Sequence, residues 1–163
     1  MKLNTPKDLI TLLQKQMNEE YQAHYNYIAM ANYFFDLDYD GFGAYYLNQA
    51  DDEREHANHY RELLLKLDII PIFERLEKPQ NTWKSPLEAL KDALKYEENI
   101  TETTFALLKA AEKQDHYPSI EFLQAFVKEQ INEIDDAKSL VNRAQQLPND
   151  QSIFFLDQAL RKA

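Results

Sequence analysis

The chain has 163 residues, with 28 acidic against 18 basic side chains, a net charge of −10, two glycines, six prolines and no cysteine. That length suits one domain with a sizeable core, and the scarcity of glycine favours long helices over a turn-rich sheet. Without cysteine there are no disulfides, thiolate-bound metals or cysteine-ligated iron–sulfur clusters, and no dense basic patch offers a nucleic-acid surface.

The opening MKLNTPKDLI contains no unbroken apolar segment, so no secretory leader is expected. No apolar run approaches the ~20 residues needed to cross a bilayer. The expectation is a soluble, cytoplasmic protein that engages neither membrane nor nucleic acid.

Asn4-Thr5-Pro6 offers a capping residue followed by proline at a first helical position, and Leu9, Leu13, Ala23, Tyr27, Ala31 and Phe34 continue a helical apolar period. The first helix therefore spans about 5–35, and the turn DLDYDG ends it. A second follows over about 41–68. Ser85-Pro86 opens a third, about 86–114, and Pro118 suits the first turn of a fourth, about 118–147. After Leu-Pro-Asn-Asp, the apolar SIFFLDQAL forms a short fifth helix, about 151–161.

Two of the connections are short, so helices one and two, and three and four, should form antiparallel hairpins. Between the second and third lie seventeen residues without a clear period, IIPIFERLEKPQNTWKS. At ~3.3 Å per extended residue they reach ~55 Å, more than the ~42 Å of a helix of ~28 residues. The crossover can run the length of the bundle and leave its flanking helices parallel. The expected fold is all-α: a single domain over 1–163, a four-helix bundle with one long crossover and a short fifth helix.

The stretch DDEREHANHY, residues 51–60, puts charge where a core is expected. At about 100° per residue, Glu53 sits in the middle of the stripe formed by Phe42, Tyr46, Ala50, Ala57, Tyr60 and Leu64, with His56 one turn along on the same side. Asp51, Arg54 and His59 point away into solvent. The first helix places Glu20 between Leu13 and Ala31, beside Ala23 and Tyr27. Glu97 lies in line with Leu90, Ala93, Thr104 and Leu108, while Gln130 and Glu133 interrupt Phe126, Val127, Ile134, Ala137 and Val141. In antiparallel hairpins these groups meet at one level.

A solitary glutamate on an apolar stripe can reach solvent along its own stem. Four positions at one level, with no lysine or arginine on the stripes, require a cation, because unpaired buried carboxylates cost several kcal/mol each. Oxygen donors with one nitrogen suit a hard or borderline metal. Two divalent ions sharing a bridging carboxylate fit at the ~3.5–4 Å spacing of two-metal sites. Di-iron bundles place Glu on two helices and Glu-x-x-His on two others. Here Glu53-x-x-His56 is present, but Gln130-x-x-Glu133 replaces the second such motif. The two positions should be unequal, and the site should pass iron on instead of keeping it.

The stretches QMNEEYQAHYNYIAMANYF, DDEREHA, KYEENIT, FLQAFVKEQINE and FFLDQAL, in this order and spacing, resemble the non-haem ferritins of prokaryotic type over nearly the whole chain. The resemblance implies a ferroxidase that oxidises Fe(II) with O2 or H2O2 and stores ferric mineral. It implies Glu20 and His56 at the first iron, Glu53 bridging, Glu97 and Glu133 at the second, and Gln130 in support. Tyr27 matches a family tyrosine that hydrogen-bonds in the site and can donate an electron. A third iron position is matched by Asp52, Glu129 and Glu133, with Asn132 where a glutamate is common, so it should be weaker. Ala125 stands where several relatives carry a tryptophan. The resemblance also implies a homo-oligomeric shell of twenty-four subunits, with the fifth helix around its four-fold axis and Asp52 and Glu55 facing the cavity.

Arg54 follows Glu53 where the haem-binding relatives have methionine, so no haem is expected, and the absence of cysteine excludes the rubrerythrin type. The alternatives are a shell subunit that stores mineral without oxidising iron, and a purely structural bundle.

Overall fold

The computed structural model describes residues 4–163, and among them the chain forms five helices and no strand. They are α1 (Lys7–Asp36), α2 (Asp40–Lys66), α3 (Pro86–Lys113), α4 (Tyr117–Ala144) and α5 (Gln151–Arg161). The part of the single-domain expectation that concerns residues 1–3 lies outside the described residues.

Most starts and stops have local causes. The Ser85 hydroxyl accepts from the Glu88 amide at 3.3 Å, and Pro86 occupies the first turn of α3. The start of α1 differs from the sequence expectation. Pro6 is itself the cap, with no side-chain cap bond, and the Thr5 hydroxyl instead lies 3.3 Å from His116 Nε2. With only two glycines available, α1, α2 and α3 all end on an aspartate in the left-handed region: Asp38 (φ 62°), Asp68 (φ 60°) and Asp115 (φ 51°). Each lets the following amide reach back five residues: Tyr39 to Phe34, Ile69 to Leu64 and His116 to Ala111, at 2.9–3.0 Å. These are Schellman closures made with aspartate, which tolerates this conformation better than most residues.

Two buried clusters fix the helix directions. One joins the start of α1, the end of α2, the end of α3 and the start of α4, through Leu9, Leu13, Tyr60, Leu64, Leu107, Ala111 and Leu123. The other joins the end of α1, the starts of α2 and α3, the end of α4 and α5, through Phe34, Phe42, Leu90, Val141 and Ile153. Hence α1 and α2 are antiparallel, α3 and α4 are antiparallel, and α2 and α3 are parallel. This is a four-helix bundle with a crossover.

The crossover has no regular structure of its own, yet it is tied down. Gln14, Asn18 and Gln22 stand four residues apart on one face of α1 and treat it as a strand. Their side-chain oxygens accept from the amides of Ile72 (2.6 Å), Glu74 (2.8 Å) and Glu77 (2.7 Å). Asn18 and Gln22 donate back to the carbonyls of Ile72 and Glu77. Three side-chain amides thus satisfy backbone groups that a long loop would leave to water. No helix among the described residues is long and apolar enough to cross a membrane.

Candidate metal centre

The layer between the two apolar clusters is polar. Glu20 of α1, Glu53 and His56 of α2, and Glu97 and Gln130 of α3 and α4 are all at most 4% exposed. Glu133 is partly buried beside them. By contrast Asp51, Asp52, Arg54, Glu55 and His59 are exposed, and Arg54 is paired with Asp51 at 3.2 Å on the surface. The stretch 51–60 therefore splits by helical phase: Glu53 and His56 turn inward, the other charges outward.

Three sets of donor atoms converge, each within 4.8 Å: Glu20, Glu53 and His56; Glu53, Glu97 and Glu133; and His56, Glu129 and Glu133. Glu53 belongs to the first two sets, so those two adjacent positions share one carboxylate. His56 uses both ring nitrogens. Nδ1 lies 3.3 Å from Glu53 and 3.9 Å from Glu20, while Nε2 lies 3.1 Å from Glu129 and 4.0 Å from Glu133. Asp52 does not join any of these sets, and Glu129 is the exposed member of the third. Asn132 and Ala125 are also exposed.

Hydrogen bonds orient the donors. Tyr27 donates its hydroxyl to Glu97 Oε1, and the Gln130 amide donates to Glu97 Oε2 at 2.7 Å. Both Glu97 oxygens are thereby engaged by neutral groups. Gln16, 2% exposed, donates to Glu20 Oε1 at 2.8 Å. The sequence analysis did not single out Gln16, although its position four residues before Glu20 on the same helix face was a readable signal.

Three carboxylate oxygens remain buried without a partner: Glu20 Oε2, Glu53 Oε1 and Glu133 Oε2. Such groups are rare in native proteins and call for an explanation. They belong to the three acids that also converge with His56, and the ion pairs they make involve no lysine or arginine. The donor set, carboxylate oxygens with a single imidazole, fits one or two divalent cations of hard or borderline character.

The electrostatics carry the same message. Burial pushes Glu20 well above the ordinary carboxylate range, reinforced by Glu53. Burial does the same to Glu53, with Glu97 and Glu133 adding to it, and burial likewise raises Glu97. Glu133 is pushed up to about 8, by burial and then by Glu97. Burial draws His56 down, but Glu20, Glu133 and Glu129 outweigh it and hold the imidazole above its ordinary value.

In the metal-free protein these acids thus hold protons that the unfolded chain releases near pH ~4.5. The folded state binds more protons, so stability falls as pH rises. The contribution is fully present below the unfolded pKa and lost through the folded one, at about 8 for Glu133. His56 acts in the same direction. Thermal unfolding of metal-free protein is therefore expected to show a loss of a few kcal/mol per chain, as an order of magnitude, between about pH 5 and pH 8. Saturating divalent cation should remove most of that loss by taking the place of the protons. A flat profile, indifferent to metal, would count against a cation site.

The chain is similar to known proteins in sequence and in fold. Residues 10–147 match the Ferritin family, described as a ferritin-like domain. The chain is 33% identical over 150 residues to the bacterial non-heme ferritin of Staphylococcus haemolyticus, covering 92% of this chain and 90% of that one. It is 31% identical over the same length to the protein of that name from Staphylococcus epidermidis. Among solved structures, an open pore ferritin from the hyperthermophilic archaeon Archaeoglobus fulgidus superposes with a TM-score of 0.93 at 26% identity, over 96% of this chain and 98% of that one. A humanized archaeal ferritin gives the same TM-score and identity.

Proposed function

Because the chain belongs to the ferritin-like domain family, we propose that it oxidises ferrous iron at the buried carboxylate cluster and stores the ferric product in a hollow shell of its own copies. The observation that carries this reading is the set of unpartnered buried oxygens on Glu20, Glu53 and Glu133, which a divalent cation satisfies. In this reading iron is the substrate. Glu20 and His56 Nδ1 receive one ferrous ion, Glu97 and Glu133 receive a second, and Glu53 bridges them. Gln130 holds Glu97 in place, and Tyr27, hydrogen-bonded to Glu97, is a nearby one-electron donor.

Dioxygen or peroxide takes the electrons, and carboxylates favour the ferric product through its higher charge. The two positions are unequal. One includes the imidazole and the other is all carboxylate, as expected of a centre that hands its product on. The exposed Glu129, on the far ring nitrogen of His56, lies on the way between the centre and the exterior of the chain and with Glu133 forms a weaker third position. Asp52, being exposed, serves that position only from its rim. A cytoplasmic, haem-free assembly of twenty-four copies completes the proposal. Its surplus of negative charge would concentrate cations at the shell.

The test is aerobic addition of Fe(II) to metal-free protein, with ferric absorbance followed by stopped flow. A fast phase saturating near two irons per chain is the expected result. A rise no faster than in buffer would refute oxidation here and leave a non-enzymatic shell subunit or a structural bundle.

A further inference from the structure

A cavity of about 10 Å³ lies against two of the buried acids. A space of that order holds one molecule of about the size of water. Glu97 and Glu133 form one wall, and Tyr27, Tyr45, Tyr46 and Gln49 supply the rest of its polar lining. Glu20 and His56 do not line it, so the cavity adjoins the second ion position and not the first. Tyr45 and Gln49 are half-buried and stand on the side toward the surface, whereas Tyr46 is 3% exposed.

The polar groups around this space are unevenly used. Tyr27 gives its hydroxyl proton to Glu97, which leaves the phenol oxygen as an acceptor. Among the described residues the hydroxyls of Tyr45 and Tyr46 and the side-chain amide of Gln49 make no hydrogen bond. Packing explains why residue 46 is aromatic, since its ring stacks on Tyr27 at 5.6 Å and on Phe34 at 5.5 Å. Phenylalanine would stack equally well. A hydroxyl placed in the core without a partner calls for a different reason.

We propose that Tyr46 and Gln49 make this cavity the docking place of the oxidant and select hydrogen peroxide over dioxygen. This rests on the oxidase reading above. Dioxygen donates no hydrogen bond and accepts only weakly, so on entering it leaves the phenol and amide protons unpaired and cut off from water. Hydrogen peroxide has protons and lone pairs on both oxygens. It accepts from the Tyr46 hydroxyl and the Gln49 amide, and it donates to the phenol oxygens of Tyr27 and Tyr45. Sites that hydrogen-bond a substrate reject analogues lacking those groups far more strongly than apolar pockets do. The electron count closes as well. Each of two ferrous ions gives one electron, the O–O bond breaks, and one peroxide yields two ferric ions and two hydroxides. No further reductant is needed, and no proton comes from an iron ligand. Dioxygen reduced by the same two electrons would stop at peroxide.

Protein carrying two ferrous ions per chain is prepared anaerobically and mixed in a stopped flow with hydrogen peroxide or with dioxygen at equal concentration. Ferric absorbance gives both rates, and a spin trap reports hydroxyl radical, which free Fe(II) and peroxide release. The expected result is oxidation by peroxide at least about tenfold faster than by dioxygen, complete at one peroxide per two irons and without trapped radical. Tyr46→Phe keeps the stacking and removes one donor, and Gln49→Leu removes the other. Each should lower the peroxide-to-dioxygen rate ratio about tenfold. Side chains that serve only the fold would change both rates together, so an unchanged ratio overturns the proposal. Dioxygen as fast as peroxide in the unaltered protein also overturns it and leaves the oxidase reading standing. If neither oxidant acts faster than on free Fe(II) in buffer, the oxidase reading fails and the selectivity with it.

Discussion

Glu53→Gln is expected to remove the fast phase of ferrous oxidation, lowering its rate by at least about a hundredfold, while the metal-free protein becomes more stable. Both effects follow from one position. Glu53 is the carboxylate common to the two adjacent donor sets, it is 1% exposed, and its Oε1 has no hydrogen-bond partner. Glutamine keeps the volume but removes the charge, and one of its two terminal atoms becomes a donor that a cation repels. Changes to supporting residues around metals already cost 10–100-fold, so loss of a shared ligand should cost at least the upper figure. In the absence of metal the same substitution removes a buried acid whose ionised form is penalised by burial and by Glu97 and Glu133. The unfolding midpoint of metal-free Glu53→Gln should therefore rise at pH 8, where the native acid cluster is most strained. Stopped-flow absorbance and calorimetry read the two effects separately. An unchanged rate would take Glu53 out of the mechanism, and a lowered midpoint would mean that it serves the fold.

Why Glu53 could be read from the sequence at all is a matter of phase. An α-helix repeats every 3.6 residues, so Phe42, Tyr46, Ala50, Ala57, Tyr60 and Leu64 define a face on which a carboxylate is conspicuous. Glu20, Glu97 and Gln130 were legible for the same reason. The hairpin connections then set their common height. Fold class needed little more, since the long crossover and its two short counterparts leave few arrangements.

What the sequence did not disclose depends on distances between helices. Gln16 is an ordinary polar residue until Glu20 Oε1 is found 2.8 Å away. The division of His56 between Glu53 on one nitrogen and Glu129 on the other needs α2 and α4 in place. Asp52 and Glu129 carry equal weight as sequence matches, but only Glu129 reaches His56. The helix stops were half legible. Turns were readable at DLDYDG and after Gln114, but the use of left-handed aspartate where glycine is usual gives no periodic signal.

Removal of residues 151–163 is expected to leave a helical bundle that no longer closes into a shell. On one face of α5, Ser152, Ile153, Leu156 and Asp157 are buried against the bundle. Asp157 Oδ1 accepts from the Phe42 amide at 3.0 Å, satisfying a free N–H in the first turn of α2. Its other oxygen takes Arg161 at 2.9 Å, and Arg161 also reaches Asp40 at 3.4 Å. On the opposite face Phe154 and Phe155 are 54% and 61% exposed. An eleven-residue helix is not stable alone in water, so the docking through Asp157 is what holds those two rings in a fixed direction. In the proposed shell they are available to neighbouring copies. Light scattering of the truncated protein should report small species in place of a large closed particle, with helical content otherwise kept. Gly41→Ala separates docking from mere presence of the segment. Gly41 lies hard against the Asp157 carbonyl, and an added Cβ would collide with it, at a cost of ~1–3 kcal/mol for such overpacking. If α5 matters through its orientation, this single methyl should impair assembly in the same direction as the truncation. Closed particles from both proteins would exclude α5 from assembly, and closed particles from Gly41→Ala alone would show that its apolar face finds its place without the Asp157 lock.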